Sequence, residues 1–156
     1  MLTYRSLQDR LRTQHESIEK IIENVPAERL QKQPQPGKWS IKDQVAHLAK
    51  YQPVFMNRIH RIQNGEEPVF EPYNADNDAE FPQWQSWDMS TLLEKLHADR
   101  ERINIMVNEL SCTQSGKTGT HKKFGTMNLV QWTEFFLLHE SHHIYSIFQL
   151  SNDTSL

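Results

Sequence analysis

Apolar residues recur at spacings of three and four along most of this 156-residue chain. Such spacing places apolar side chains on one face of an α-helix and leaves the opposite face to charged side chains. The pattern predicts four helices, the first over about residues 3–23 and the others beginning at Ser40, near Thr91 and at Asn128. No segment shows the regular alternation of apolar and polar residues that is typical of a β-strand. The pattern therefore predicts an all-α four-helix bundle, in one domain over residues 1–156.

Polar residues at the predicted helix starts support these boundaries. A capping side chain followed three residues later by an acidic or amide side chain can form a reciprocal pair of hydrogen bonds, the capping box. Three pairs have this spacing: Ser40 with Asp43, Thr91 with Glu94, and Asn128 with Gln131. Pro53 lies inside the second helix, where the loss of one backbone donor predicts a kink.

Residues 64–89 join the second and third predicted helices. They contain three prolines and seven acidic residues but no Lys or Arg, and they predict a long non-helical crossover loop. Such a loop is either a functional lid or a plain solvated connection. Tyr73 and Trp84 within it are candidate substrate contacts. Residues 111–127, rich in Gly, Thr and Lys, predict a second loop.

Charge and composition narrow the possible partners. The net charge of −3 gives no global field that would favour nucleic acid or an anionic membrane. No apolar stretch is long enough to span a membrane. The single cysteine, Cys112, excludes an internal disulfide and fits a reducing compartment. We therefore expect a cytoplasmic protein with no nucleic-acid or membrane partner.

His139 and His143 are candidate metal ligands. They are four residues apart, so on a helix their imidazoles lie on the same face. The rest of that face is mostly apolar and consists of Leu129, Trp132, Phe136 and Leu150, together with the small polar residue Ser146. A neutral imidazole fills a core poorly, because it leaves a donor and an acceptor that need partners. Binding a metal satisfies one of these needs, and simple packing is the alternative.

Residues 139–143 also match the H-E-x-x-H signature of zinc metalloproteases, with Glu140 as the general base. Those proteases take a third ligand from farther along the chain. Only 13 residues follow His143, and none is His or Glu. A third ligand must therefore come from upstream of this segment.

His47 is the best upstream candidate, because it lies about two turns after Ser40 at the edge of the apolar stripe of the second helix. The alternative is a boundary histidine with no ligand role. The other upstream histidines lie among charged residues or in the Lys-rich loop: His15, His60, His97 and His121. His142 is turned about 100° from His143 on the helix, which favours a contact with the ligands or with a second subunit.

Two motifs resemble those of the DinB/YfiT-like superfamily. One is Trp39-Ser40-Ile41 followed by His47-Leu48, and the other is Phe124-Gly125 followed by Trp132 and then His139-x-x-x-His143. Their order and separation extend the likeness over nearly the whole chain. The chain departs from the family pattern in two places: Asn128 stands where Thr is frequent, and Tyr145-Ser146 stands where a Gly-Gln pair is frequent.

The resemblance implies a bundle that holds one divalent ion through His47, His139 and His143. Three neutral imidazole ligands suit Zn, Ni, Co or Fe(II). Trp39, Tyr51 and Trp132 are candidate pocket-lining residues, and packing in the bundle core is the alternative for each. The family also implies a homodimer.

Three functions fit this interpretation. The first is a metal-dependent thiol S-transferase that adds a low-molecular-weight thiol such as bacillithiol to a small electrophile. The second is a hydrolase that uses metal-bound water, with Glu140 or a loop carboxylate as base. The third is a non-catalytic, stress-related metal-binding bundle.

Overall fold

Four long helical segments pack side by side in the structure. The computed structural model describes residues 4–110 and 116–154. The helices are α1 (Arg5–Thr13), α2 (Ser17–Ile22), α3 (Ala27–Leu30), α4 (Ile41–Gln63), α5 (Phe81–Ser86), α6 (Met89–Asn108) and α7 (Leu129–Asn152). A 3₁₀ turn, Gln14–Glu16, joins α1 to α2, so that together they form the first long segment. The predicted four-helix bundle is confirmed.

The order of packing places α4 beside α7. Helix α4 contacts α6 and α7, while α1 also contacts α6 and α7. The apolar faces of these helices meet in a core that includes Phe55, Trp132 and Phe136, each at most 1% exposed. Burial of such faces, rather than helix propensity alone, supplies most of the stability of helices in a bundle. The helices that carry the predicted metal ligands are therefore neighbours.

A small sheet covers one part of this bundle. Its strands are β1 (Val69–Phe70), β2 (Thr118–His121) and β3 (Gly125–Asn128), in the order β1-β2-β3. Strand β2 pairs in parallel with β1 and antiparallel with β3. The expectation that the chain forms no strand was wrong. Strands of two to four residues are too short to show the alternation on which a sequence-based assignment depends.

Close contacts hold the sheet against the bundle. The indole Nε1 of Trp132 donates a hydrogen bond of 3.1 Å to the carbonyl of Gly119. A Cβ atom on Gly119 would lie 2.8 Å from Cδ1 of Ile62, so the strand can approach α4 only because this residue lacks a side chain. Gly125 begins β3 with φ +81°, a conformation that glycine adopts without strain. Residues 122–124 form the tip of the hairpin between β2 and β3, and β3 leads directly into α7.

Two of the three predicted capping boxes are confirmed, at the starts of α4 and α7. The third was wrong. Helix α6 begins at Met89, and the carboxylate of Asp88 accepts the backbone N–H of Thr91. Asp88 is thus the cap, and Thr91 already lies in the first turn.

The crossover between α4 and α6 contains more structure than the sequence predicted. Within residues 64–89 lie β1, a 3₁₀ turn at Ala75–Asn77 and the helix α5. The expectation of a wholly non-helical segment was therefore wrong. The prolines do not prevent α5, because Pro82 occupies its first turn, where no backbone donor is required. Pro53 lies inside α4 as predicted. Cys112 lies outside the described residues.

Across the described part of the chain, no helix has both the length and the apolar character needed to cross a membrane. A cytoplasmic location stays a prediction.

Candidate metal centre

Three histidine side chains meet between α4 and α7. The Nε2 atom of His139 lies 3.1 Å from Nε2 of His47 and 3.2 Å from Nε2 of His143. The set His47, His139 and His143 offers one ligand atom from each residue, all within 4.8 Å of one another. Nitrogens that bind one ion at about 2.0–2.1 Å lie about 3–3.4 Å apart, so these separations suit a shared metal ion.

Gln44 orients one of these rings. The Nδ1 atom of His143 lies 2.6 Å from the amide oxygen of Gln44. An amide oxygen only accepts hydrogen bonds, so Nδ1 of His143 carries the proton and Nε2 of the same ring presents a lone pair. A hydrogen bond of this kind to the outer nitrogen is typical of metal-binding histidines, because it fixes both the tautomer and the ring orientation.

Hydrogen bonds among the three histidines cannot satisfy all three Nε2 atoms well. Nε2 of His139 faces two other Nε2 atoms, and a single ring N–H serves only one acceptor well. Nε2 of His143 has no proton to offer when its Nδ1 donates to Gln44. The Nδ1 atoms of His47 and His139 are buried and have no hydrogen-bond partner among the described residues. A divalent ion would bind all three Nε2 lone pairs at once, so the residues present fit such a group.

Burial keeps the three imidazoles neutral. Burial, followed by the charges of the neighbouring histidines, lowers the pKa of His47 to about 3 and that of His139 to about 2. Burial and then His142 lower the pKa of His143 to about 4. At neutral pH each ring is therefore deprotonated, which is the form that binds a metal. Neutral nitrogen donors suit Zn, Ni, Co and Fe(II).

Aromatic rings surround the centre. The ring of Tyr51 lies 4.2 Å from that of His139, and Trp39 lies 4.9 Å from His47, both measured between centroids. Tyr73 stacks on His47 at 5.6 Å, and Phe81 meets the same ring edge-on at 6.2 Å. Trp39 and Tyr51 were candidates either for the pocket or for the bundle core, and the structure places both beside the histidines. Tyr73, a candidate substrate contact in the crossover, lies there too.

Trp132 and Trp84 lie elsewhere. Trp132 is fully buried against the sheet, where its ring packs on Phe70 and its indole N–H binds Gly119. Its position is therefore structural, because it joins α7 to the sheet and packs against the rings of Phe70, His121 and Phe135. Trp84 is 8% exposed and packs against Trp87 in the core formed by α5.

Glu140 has a role that differs from that of a base beside the metal. Its side chain is 1% exposed, and its carboxylate accepts hydrogen bonds from the guanidinium of Arg100 and, at 2.9 Å, from Gln14. Arg100 also donates to Gln52 and His15. Both carboxylate oxygens of Glu140 accept these hydrogen bonds, and Glu140 does not belong to the group of three possible metal ligands. This geometry assigns Glu140 to a buried ion pair.

Sequence reasoning missed this buried polar network. The apolar stripe of the third helix has a gap between Leu96 and Ile103, and Arg100 occupies it. That gap was the signal available in the sequence. His15 and His121 are also buried, although both were predicted to lie among charged residues or in a loop. His142 is exposed, and its ring lies 5.1 Å from His143.

The structure thus defines a class of protein, a helical bundle with three histidines gathered between two neighbouring helices. The sequence matches the DinB superfamily over residues 10–147. This chain belongs to the DinB superfamily, as the two motifs indicated.

Three solved structures share the fold. YfiT from Bacillus subtilis, described as a probable metal-dependent hydrolase with an unusual four-helix bundle topology, aligns with a TM-score of 0.81, 20% identity and coverage of 96% of this chain and 86% of that chain. The DinB-like protein YjoA from Bacillus subtilis has a TM-score of 0.62, 13% identity and coverage of 97% and 94%. An uncharacterized protein from Clostridium difficile 630 has a TM-score of 0.69, 13% identity and coverage of 97% and 99%. No match was found among curated protein sequences.

Proposed function

We propose that this chain is a divalent-metal-dependent hydrolase of small molecules, with the ion held by His47, His139 and His143. One observation carries the proposal: three neutral imidazoles direct Nε2 toward a common point between α4 and α7. Three protein ligands leave coordination positions open, which is the arrangement of a catalytic site and not of a closed structural one. The description of YfiT as a probable metal-dependent hydrolase supports the same class of activity.

The roles of the surrounding residues follow from their contacts. Gln44 holds the ring of His143 so that Nε2 is free to bind. Trp39, Tyr51 and Tyr73 pack on the imidazoles and exclude water from their faces. When bound, a divalent ion with three neutral ligands supplies Lewis acidity, which lowers the pKa of a water or thiol bound to it.

The surroundings of the centre favour a nucleophile that the ion itself activates. Among residues 4–110 and 116–154, no Asp or Glu belongs to the group of possible ligands, and the neighbouring Glu140 is paired with Arg100. A separate carboxylate base is therefore not required by this proposal. Because all three protein ligands are neutral, a bound ion would keep its positive charge.

Transfer of a low-molecular-weight thiol to a small electrophile is the second candidate. The same lack of a carboxylate base favours it, because a thiol with a pKa of about 8.5 needs far less assistance to ionise than water does. The family resemblance implies this activity as well.

One experiment separates the candidates. Metal-loaded protein is assayed with a panel of esters and amides without thiol, and with a haloaromatic electrophile plus a thiol. Hydrolysis that requires metal and is lost in His139→Ala supports the hydrolase, and His142→Ala serves as the matched control. With Co²⁺ in the site, an intense sulfur-to-metal charge-transfer band on addition of thiol supports the transferase. Turnover in neither assay contradicts both and leaves a non-catalytic metal-binding bundle.

We also propose that two copies associate through the outer side of α7. Leu138, Tyr145 and Phe148 are large apolar residues there, exposed by 62%, 60% and 51%. A second copy related by a two-fold axis would cover this patch. Sedimentation should give the mass of two chains at micromolar concentration, and Tyr145→Lys should give the mass of one. A single-chain mass for the parent protein would contradict the proposal.

A further inference from the structure

A cavity of about 150 Å³ lies directly beside His139. Its walls are largely aromatic and come from four parts of the chain: Tyr51 on α4, Tyr73 in the crossover, Phe124 at the hairpin tip and Phe135 on α7. A cavity of this volume accommodates a molecule of about the size of benzene. The hairpin that sequence analysis treated as a loop therefore completes a pocket next to the candidate metal centre.

Two cationic side chains lie at this cavity: Lys123 is part of its wall, and Arg58 is hydrogen-bonded to Tyr51 of the wall. Lys123 lines it, and its ammonium lies 5.4 Å from the centroid of the Phe124 ring. Arg58 is 6% exposed and donates to the hydroxyl of Tyr51 at 3.2 Å and to a backbone carbonyl at 2.8 Å. Within the part of the chain that the structure describes, neither side chain forms an ion pair with Asp or Glu. A buried guanidinium without a counterion is costly, so an anion bound nearby would be stabilised.

The polar groups of the wall are mainly donors. Nδ1 of His121 accepts the backbone N–H groups of Lys123 and Phe124 at 3.1 and 3.3 Å, which places the proton of the neutral ring on Nε2. Burial and then the charges of Arg58 and Lys123 lower the pKa of His121, so the ring stays neutral. The hydroxyl of Tyr51 accepts a hydrogen bond from Arg58, which leaves the hydroxyl hydrogen of Tyr51 to donate. No Asp or Glu is among the described residues that line the cavity.

We propose that this cavity binds the substrate as a small, planar apolar molecule that carries a carboxylate. The carboxylate lies at Lys123, the apolar body lies between the aromatic rings, and the reacting end points toward His139. This assignment of substrate class rests on the proposed function, because the neighbouring centre supplies the chemistry. The anion site itself requires no turnover and is tested by binding alone.

The test compares benzoate with benzamide, which has the same shape and no charge. Both are titrated by calorimetry or by NMR into the full chain, with and without bound zinc. We expect benzoate to bind more tightly than benzamide, and Lys123→Gln to weaken benzoate binding roughly fivefold, the upper range for a pair at an exposed ammonium. Benzamide binding should not change in this variant. Higher salt should weaken benzoate binding and leave benzamide binding unaltered.

Lys122→Gln is the matched control. It removes the same charge from the adjacent residue of the hairpin, but Lys122 is paired with Glu71 and does not line the cavity. The Lys122→Gln variant should bind benzoate as tightly as the parent protein does. Equal losses in the two variants would overturn the assignment, since they would reflect only the net charge of the chain.

Two further results would overturn it. Equal affinities for benzoate and benzamide would show that the cavity does not select an anion. Benzoate binding that requires zinc and is insensitive to Lys123 would place the carboxylate on the ion instead. Either result leaves the proposed hydrolase standing if metal-dependent ester hydrolysis is observed, so the two proposals fail separately.

Discussion

The Nδ1 atom of His143 lies 2.6 Å from the amide oxygen of Gln44, so a residue of α4 fixes the orientation of a candidate ligand on α7. The contact crosses between the two helices that supply all three histidines. It therefore links the geometry of the site to the packing of α4 against α7.

Replacing Gln44 should weaken metal binding without removing a ligand. In Gln44→Ala the ring of His143 loses its acceptor and becomes free to rotate, and loss of such an outer partner typically lowers metal affinity by about 10–100-fold. Competition of metal-loaded protein with a chelator measures the change. Gln44→Glu keeps an acceptor at this position and should restore most of the affinity. Parental affinity in Gln44→Ala would argue against an orienting role.

Removal of a ligand should have a larger effect than removal of Gln44. His47→Ala, His139→Ala and His143→Ala each delete one of the three converging nitrogens. Each variant should bind metal more weakly than Gln44→Ala does, by more than about a hundredfold relative to the parent. Elemental analysis of protein purified without chelator or a histidine tag should give one ion per parental chain. His142→Ala is the control and should retain it. Normal metal content in His47→Ala would mean that the site is built differently.

The parts of the site that sequence predicted share a physical basis. His139 and His143 are four residues apart on one helix, so their proximity follows from helix geometry alone. Ser40 sets the start of α4 through a capping box, and this fixes where His47 lies around the helix. Helix geometry and capping were sufficient to predict the positions of these residues on their own helices. The packing of α4 against α7 then brings them together.

The parts that sequence missed depend on contacts between distant segments. Glu140 looked like a base because it follows His139, yet its partner Arg100 lies 40 residues away on another helix. Lys123 and Phe124 reach the cavity only because β2 pairs with β1, and Gly119 lets that strand approach α4. Neither relation leaves a periodic signal in the chain.

Removing one partner of the ion pair between Glu140 and Arg100 should strongly lower the free energy of unfolding. Arg100 is fully buried, so Glu140→Ala leaves an uncompensated charge in the core. Breaking a buried pair in this way costs about 3–5 kcal/mol. Urea unfolding of the metal-free protein measures the loss.

Glu134→Ala provides a matched comparison on the same helix. Glu134 pairs with Arg10, but their side chains are 25% and 36% exposed, so the loss should be no more than about 1 kcal/mol. Equal free energies of unfolding for the parent and Glu140→Ala would contradict the proposed structural role of Glu140.

Acid should destabilise the bundle through His15. Burial, followed by the charges of Arg100 and His97, lowers the pKa of His15 to about 3 in the folded protein. In the unfolded chain the pKa of His15 is about 6.5, so the unfolded state binds the proton first as the pH falls. The free energy of unfolding should therefore decrease between about pH 6.5 and pH 3, and His15 makes no pH-dependent contribution above that window.

The variant His15→Gln isolates this contribution. An amide oxygen can still accept the hydrogen bond from Arg100, but it does not titrate. Urea unfolding of chelator-treated protein is compared at about pH 7.5 and about pH 4.5. Between these values the parent should lose about 3 kcal/mol more stability than the variant does. The remaining decrease, shared by both proteins, includes the three neutral imidazoles of the candidate metal centre, whose pKa values are also lowered. If the difference in stability between parent and variant is the same at both pH values, His15 is not the neutral buried base that its hydrogen bond with Arg100 indicates.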